Sequence, residues 1–238
     1  MKWIHSPYLR RSFLALPILI VVALLIVWFL PGFQVSLVII EGNEQVSTDE
    51  IMLLLDEPVG KPILKMFVEP LKERLLLHPW VLHSKVQIQI PNTLKIQIIE
   101  RTILIYVPYY GSFLAVAADG TALALTNVLP SNSLLFTGMD LPFLALGEKI
   151  PHCEFLPDLE ILIQKMDASV RLMVSEIKLG TDHFFYLQTS DNYQMRVDAT
   201  IDEQKFLDMR AIILFMREQG KRGTVILQEG VPVFIPVE

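Results

Sequence analysis

The chain has 238 residues, of which 52% are hydrophobic and 19% charged; 20 Lys and Arg stand against 26 Asp and Glu, a net charge of −6. Soluble domains carry about 25% charge, so part of this chain is set apart from water, and a mean hydropathy of +0.45 says the same. The acidic balance argues against a general nucleic-acid binder, which needs a basic field. A single cysteine excludes a disulfide framework and any zinc site built on two or more thiolates.

The apolar excess sits near the start. No charged residue occurs between Ser12 and Ile40, and Phe13 to Leu30 is continuously apolar. As a helix this run is about 27 Å long, enough for a slightly thin bilayer core. Phe13, Leu14, Leu19, Leu24, Trp28 and Leu30 are its expected membrane-anchor residues, and Pro31-Gly32 ends it. Lys2, Arg10 and Arg11 precede the run and Glu41, Glu44, Asp49 and Glu50 follow it. The positive-inside bias then puts residues 1–11 in the cytoplasm, makes 12–33 an uncleaved single-pass anchor, and leaves the bulk outside the cell membrane. A cleaved signal peptide would have a shorter core and a small-x-small site after it. A core helix of a soluble protein would show a polar face. Beyond residue 40 the chain keeps 17 Lys and Arg and all 26 Asp and Glu, an ordinary acidic composition.

The exported part reads in two regions. Val35 to Ile40 is a β-branched run that ends in a turn at Glu41-Gly42-Asn43. Ser47 and Glu50 form a capping box for a helix from Thr48 to about Leu55. A second helix spans Val68 to Leu77 and stops at His78-Pro79. Val86 to Ile90 and Leu94 to Ile98 alternate strictly around Pro91-Asn92 and pair as a hairpin. The expected order is β-α-α-β-β over residues 34–101, with the helices on one face of a three-stranded sheet.

Residues 102–238 form the second region. Ile103 to Val107 and Phe113 to Ala117 read as strands, with a turn at Asp119-Gly120. Asn127 to Phe155 is turn-rich and has no clear assignment, and Leu156 to Met166 reads as a helix. Ser175 to Leu179, Phe184 to Thr189 and Tyr193 to Val197 read as an antiparallel meander. Asp202 to Gln219 is the clearest helix: Phe206, Met209, Ile212, Ile213 and Met216 recur at helical spacing and Gly220 caps it. Thr224 to Gln228 and Val231 to Ile235 make a last hairpin around Glu229-Gly230. The fold class is α+β: one anchor, a β-α-α-β-β domain, then a β-rich domain with a late helix and a terminal hairpin.

Chemistry-bearing patterns are sparse. His5, His78, His83, His152 and His183 make no HExxH and no i, i+4 helical pair; His78 and His83 flank a helix end and read as capping or surface residues. His152-Cys153 is a sequential pair, whereas a nucleophile couple needs spatial adjacency. There is no GxSxG, SxxK or P-loop. Asp198, Asp202 and Glu203 suit the dipole at the start of the last helix better than a catalytic pair. No catalytic, cofactor or metal site is expected, and no small-molecule substrate or nucleic acid.

The order of these elements carries a resemblance. A short basic tail, one apolar span, Glu41-Gly42-Asn43, Ser47-x-x-Glu50, His78-Pro79-Trp80-Val81, Pro91-Asn92-Thr93-Leu94 and Glu100-Arg101 resemble the FtsQ/DivIB family of bacterial cell-division proteins. Asp119-Gly120, Leu135-Phe136-Thr137-Gly138, Lys178-Leu179-Gly180 and Lys205-Phe206 extend the match. The resemblance implies a POTRA (polypeptide-transport-associated) domain at 34–101 and a C-terminal β domain at 102–238. It also implies a non-enzymatic divisome scaffold at the septum, contacting FtsB/DivIC- and FtsL-like bitopic partners and, through them, the septal peptidoglycan synthase. The expected docking edge is the last hairpin: Thr224, Val225, Leu227, Gln228, Val231, Val233 and Phe234, with Trp80 as a second candidate contact. Pro232 and Pro236 differ by four, so both lack an N–H on one edge and Phe234 is its central remaining donor. A membrane-anchored envelope hydrolase and an outer-membrane assembly or secretion factor with a POTRA module are the alternatives.

Overall fold

The computed structural model describes residues 17–22, 31–228 and 230–236. Of the expected anchor residues, Leu19 falls within them, in a helical stretch at 17–22 whose side chains are exposed. Phe13, Leu14, Leu24, Trp28 and Leu30 lie outside the described residues. Among the described residues no helix is long and apolar enough to cross a membrane.

The chain divides into two compact units, 1–100 and 101–238. In the first, β1 (Leu37–Glu41), α1 (Thr48–Leu54), α2 (Val68–Leu76), β2 (Val81–Gln89) and β3 (Thr93–Glu100) follow in the expected order. The sheet order is β1-β3-β2, with β1 parallel and β2 antiparallel to β3. Leu94, Ile96 and Ile98 alternate inward from β3 and are buried in one core with Ile51, Leu71 and Leu75 of the two helices. That burial is why strict alternation is legible there. Ser47 caps α1 reciprocally with Glu50: Glu50 N–H donates to Ser47 Oγ (3.2 Å) and Ser47 N–H to Glu50 Oε2 (2.9 Å). The Ser47 N–H and hydroxyl, both donating to Oε2, hold the Glu50 carboxyl below its usual range.

Two boundaries differ from expectation. β2 begins at Val81 rather than Val86 and carries an irregularity between Val81 and His83. His83 therefore stands on the strand and not at a helix end. Ile90 leaves the strand and is exposed beside Pro91.

Glu100 closes this unit. Its carboxylate accepts from the N–H groups of Glu44 (3.0 Å), Gln45 (2.8 Å) and Val46 (2.9 Å), the loop that leads from β1 to α1. Glu100→Ala leaves three donors to water or to nothing. The expected loss is about 1–3 kcal/mol, read as faster amide hydrogen exchange across residues 44–54 with exchange beyond residue 110 unchanged.

The second unit is one nine-stranded mixed sheet, ordered β12-β11-β10-β9-β8-β7-β4-β5-β6. Its strands are β4 (Ile103–Tyr109), β5 (Ser112–Ala117), β6 (Ala122–Thr126), β7 (Leu135–Thr137), β8 (Val174–Leu179), β9 (Phe185–Thr189), β10 (Gln194–Val197), β11 (Gly223–Gln228) and β12 (Val231–Pro236). Three residues of β7 join the two halves by pairing parallel to both β4 and β8. The turn-rich stretch around it is stitched down: Gly147 N–H donates to Ala122 O (2.8 Å), Ala122 N–H to Glu148 O (2.8 Å) and Leu144 N–H to Tyr109 Oη (2.8 Å). α3 (Leu156–Lys165), the short α4 (Ala168–Met173) capped by Asp167, and α5 (Glu203–Glu218) supply the rest of the core. Phe136 stacks on Phe155 at 4.7 Å between centroids. α5 buries Phe206, Met209 and Ile213. It ends in a Schellman motif, with Gly220 N–H on Arg217 O and Lys221 N–H on Met216 O, both 3.0 Å.

Arg101 opens this unit as Glu100 closes the other. Its Nε donates to Asp119 Oδ2 (3.0 Å), pinning the β5–β6 turn. Burial pushes the Asp119 carboxyl up, but bonds from Thr121 and the Arg101 guanidinium outweigh it and hold the group below its usual 3.8. A depressed carboxylate contributes stability that is complete above pH 3.8 and fades as pH falls through the lower folded value. Asp119→Asn is therefore expected to lower the melting temperature at neutral pH, with a gap to wild type that narrows as pH falls below the usual carboxylate value of 3.8, checked by thermal melts across pH.

Candidate partner-binding edge

β12 terminates the sheet. β11 lies parallel to β10, and α5 forms the connection between them; β12 returns antiparallel on β11. The register pairs Gln228 with Val231, Ile226 with Val233 and Thr224 with Ile235; alternating with these are Leu227–Pro232, Val225–Phe234 and, at the far end, Gly223–Pro236. Opposed residues in an antiparallel ladder alternate between pairs that exchange bonds and pairs that do not. Proline cannot donate, so Val231, Val233 and Ile235 bond inward. Pro232, Phe234 and Pro236 then turn their backbone groups outward. The free edge offers three carbonyls and one N–H, that of Phe234. It is blunted against indiscriminate pairing.

Side chains sort the same way. Val225 is fully buried, and Leu227 and Phe234 pack against the same core. Val231 and Ile235 are exposed on the opposite face, with Thr224, Ile226 and Val233 between them. Of the residues expected at this edge, Thr224, Gln228, Val231 and Val233 share the open face. Val225, Leu227 and Phe234 face the core, so the Phe234 ring is structural and its N–H is what the edge presents. Gly223 explains how tightly the hairpin closes: a Cβ there would stand 2.2 Å from Ile235 O and 2.6 Å from the Phe234 ring. Trp80 belongs to the first unit, half-buried on its core, with its backbone N–H donating to His78 Nδ1 (3.3 Å).

The register also gathers residues that no local pattern announces. Tyr186, Arg196, Ile226 and Val233 form one cross-strand row, and Gln188, Gln194, Thr224 and Ile235 the next. Arg196 is fixed: its Nε donates to Asp182 Oδ2 (3.0 Å) and its guanidinium lies 3.7 Å from the centroid of the Phe184 ring. The Asp182 bond raises Arg196 above its ordinary value. For Asp182, burial works upward, but bonds from Tyr186 and Arg196 prevail and leave it lowered. A positioned cation beside an apolar row and a nearly donorless edge suits a peptide strand with its own side chains to read.

Other candidate groups do not converge in this way. His152 and His183 line one cleft of about 370 Å³ with Glu154 and Asp158. Cys153 is half-buried and packs against the core. Among the described residues no group of three or more His, Cys, Asp or Glu is placed to hold a metal ion. Asp202 caps α5 by accepting from Lys205 N–H (2.8 Å) and Asp198 accepts from Thr200 N–H (2.8 Å), as a structural reading of that acidic stretch requires.

Residues 33–101 match the family model described as the POTRA domain, FtsQ-type. The chain is similar to the FtsQ/DivIB cell-division proteins. It is 24% identical to the cell division protein DivIB of Clostridium acetobutylicum over 212 residues, covering 86% of this chain and 84% of that one. It is 25% and 26% identical to the cell division proteins FtsQ of Rickettsia felis and Rickettsia conorii over 141 residues, 59% of this chain and 51% of each. Among solved structures, the major extracytoplasmic domain of DivIB from Geobacillus stearothermophilus aligns with a TM-score of 0.36 at 16% identity, covering 50% of this chain and 96% of that one. The POTRA domain is thus the β-α-α-β-β unit, and the β12 edge belongs to the region that follows it.

Proposed function

We propose that the chain is a bitopic, non-enzymatic scaffold of the bacterial division machinery. Residues 1–11 are cytoplasmic, 12–33 cross the cell membrane, 34–101 form the POTRA domain and 102–238 the partner-binding domain. In this reading the terminal hairpin docks FtsB/DivIC- and FtsL-like partners and so links early division proteins to the septal peptidoglycan synthase. The observation that carries it is the joint one: an FtsQ-type POTRA match at 33–101 in a chain whose similarity to a DivIB protein spans 86% of its length.

The anchor makes the scaffold workable. Partners held on one membrane face meet at high effective concentration, so an edge with one N–H and a few side chains suffices. Depleting the protein and following cells by microscopy tests the reading. Filamentous or unseparated cells are expected. Normal division with loss of outer-membrane proteins would instead support an assembly role for the POTRA module.

A further inference from the structure

One end of the POTRA domain carries several large apolar side chains that its core leaves exposed. β1 and β3 run parallel and both begin there, so the Ile90–Asn92 turn lies at that end. The 56–62 loop and the start of α2 lie there too. Backbone bonds fix the arrangement: Val35 N–H donates to Lys61 O (2.9 Å), Gly60 N–H to Val35 O (2.8 Å) and Ser36 N–H to Asn92 O (2.9 Å). Around this point Val59 is 53% exposed, Leu64 44%, Phe67 75% and Ile90 67%. Four large exposed apolar side chains on adjoining segments at one end are the kind of surface that marks a partner or a membrane.

Chain length names that neighbour. Phe33 packs on the POTRA core and Val35 is buried in it, so the domain has begun by residue 33. The apolar run of the sequence stops at Leu30. Three peptide units separate the two, about 11 Å at full extension. With the run in a bilayer, this end of the domain cannot leave the bilayer surface. We propose that the Val59–Phe67 segment and the Ile90 turn rest in the lipid interface, a second membrane contact that sets the orientation of the POTRA domain. The proposal rests on the anchor assigned above.

The charges there do not favour anionic lipid. Lys61 is paired with Asp56, and the charges of Glu57 and Lys65 in the same segment offset each other. The contact is therefore apolar, of the kind made by interfacial aromatic and aliphatic side chains. Tethering removes most of the entropy of association, so partial burial of four side chains is enough. With this end down, β3 carries the chain roughly 25 Å outward to Glu100.

Site-directed nitroxides test this on the full chain in phosphatidylcholine vesicles, with and without phosphatidylglycerol, in a Cys153→Ser background. Labels go at Phe67→Cys and Ile90→Cys, at Gln45→Cys on the opposite end, and at Leu24→Cys in the apolar run. At 67 and 90, collisions with oxygen are expected to exceed those with a water-soluble nickel chelate, equally in both lipids, with the order reversed at 45. Aqueous behaviour at 67 and 90 with lipid behaviour at 24 overturns the proposal and spares the anchor. Aqueous behaviour at 24 as well overturns both. Spin–spin broadening at 67 and 90 assigns the surface to a second copy and also overturns the proposal.

Discussion

Replacing Gly42 with alanine is expected to destabilise the POTRA domain by about 2–5 kcal/mol, the sum of a left-handed backbone penalty and an overpacking term. Gly42 has φ +84°, and a Cβ built on it would stand 2.1 Å from the carbonyl oxygen of Ile98. That oxygen belongs to β3, the central strand, so it cannot yield without moving the sheet. The position is where β1 ends and the chain turns into the loop held by Glu100. Amide exchange in the full chain is the measurement. Protection across β1 and β3 should fall by roughly two decades, while β8 to β11 keep theirs. Gly42→Asn separates the two causes, because asparagine tolerates positive φ but still carries a Cβ. Equal loss in both variants identifies close approach as the dominant effect. Wild-type protection in the alanine variant would mean the turn can be rebuilt cheaply.

What the sequence discloses follows from how local each cause is. The Ser47–Glu50 box closes within four residues and is legible in full. The alternation of β3 is legible because one face is buried and the other polar. The start of β2 is hidden: Leu82-His83-Ser84-Lys85 includes an irregularity that breaks the period. β7 is hidden for a different reason. Three residues hold no period, and its place between two parallel partners comes from strands far away in sequence. Without β7 the sequence suggests two β segments; with it there is one sheet. α4 is six residues long and announces itself through little more than its Asp167 cap.

The candidate edge divides along the same line. A two-residue Glu229-Gly230 connection and the four-residue spacing of Pro232 and Pro236 predict the hairpin and its outward face. Which side chains look inward is not predictable, because α5 decides it by covering Val225 and the Phe234 ring. Arg196 joins the open face through the parallel β10–β11 pairing, a contact across the α5 crossover. A crossover leaves no trace in the spacing of any one strand.

The outward N–H of Phe234 yields the sharpest test of how the edge works. Phe234→Pro should weaken binding of the proposed FtsB- or DivIC-like partner about ten-fold or more relative to Phe234→Leu. Both variants lose the ring that packs near Val225, so the stability cost of the lost aromatic is largely common to them. The difference that matters is the missing donor, because an incoming strand would keep one carbonyl without a partner, a loss of about 1–3 kcal/mol. Proline is compatible with the site, since Pro232 and Pro236 already occupy its neighbours on the same outward edge. Titration of the solubilised full chain with the partner, beside a thermal melt of each variant, gives both quantities. Equal affinity in the two variants would show that the partner does not add a strand here. Recognition would then fall to the open face, where Arg196, Ile226, Val233 and Ile235 stand, and Ile235→Asp should abolish it without changing the melt.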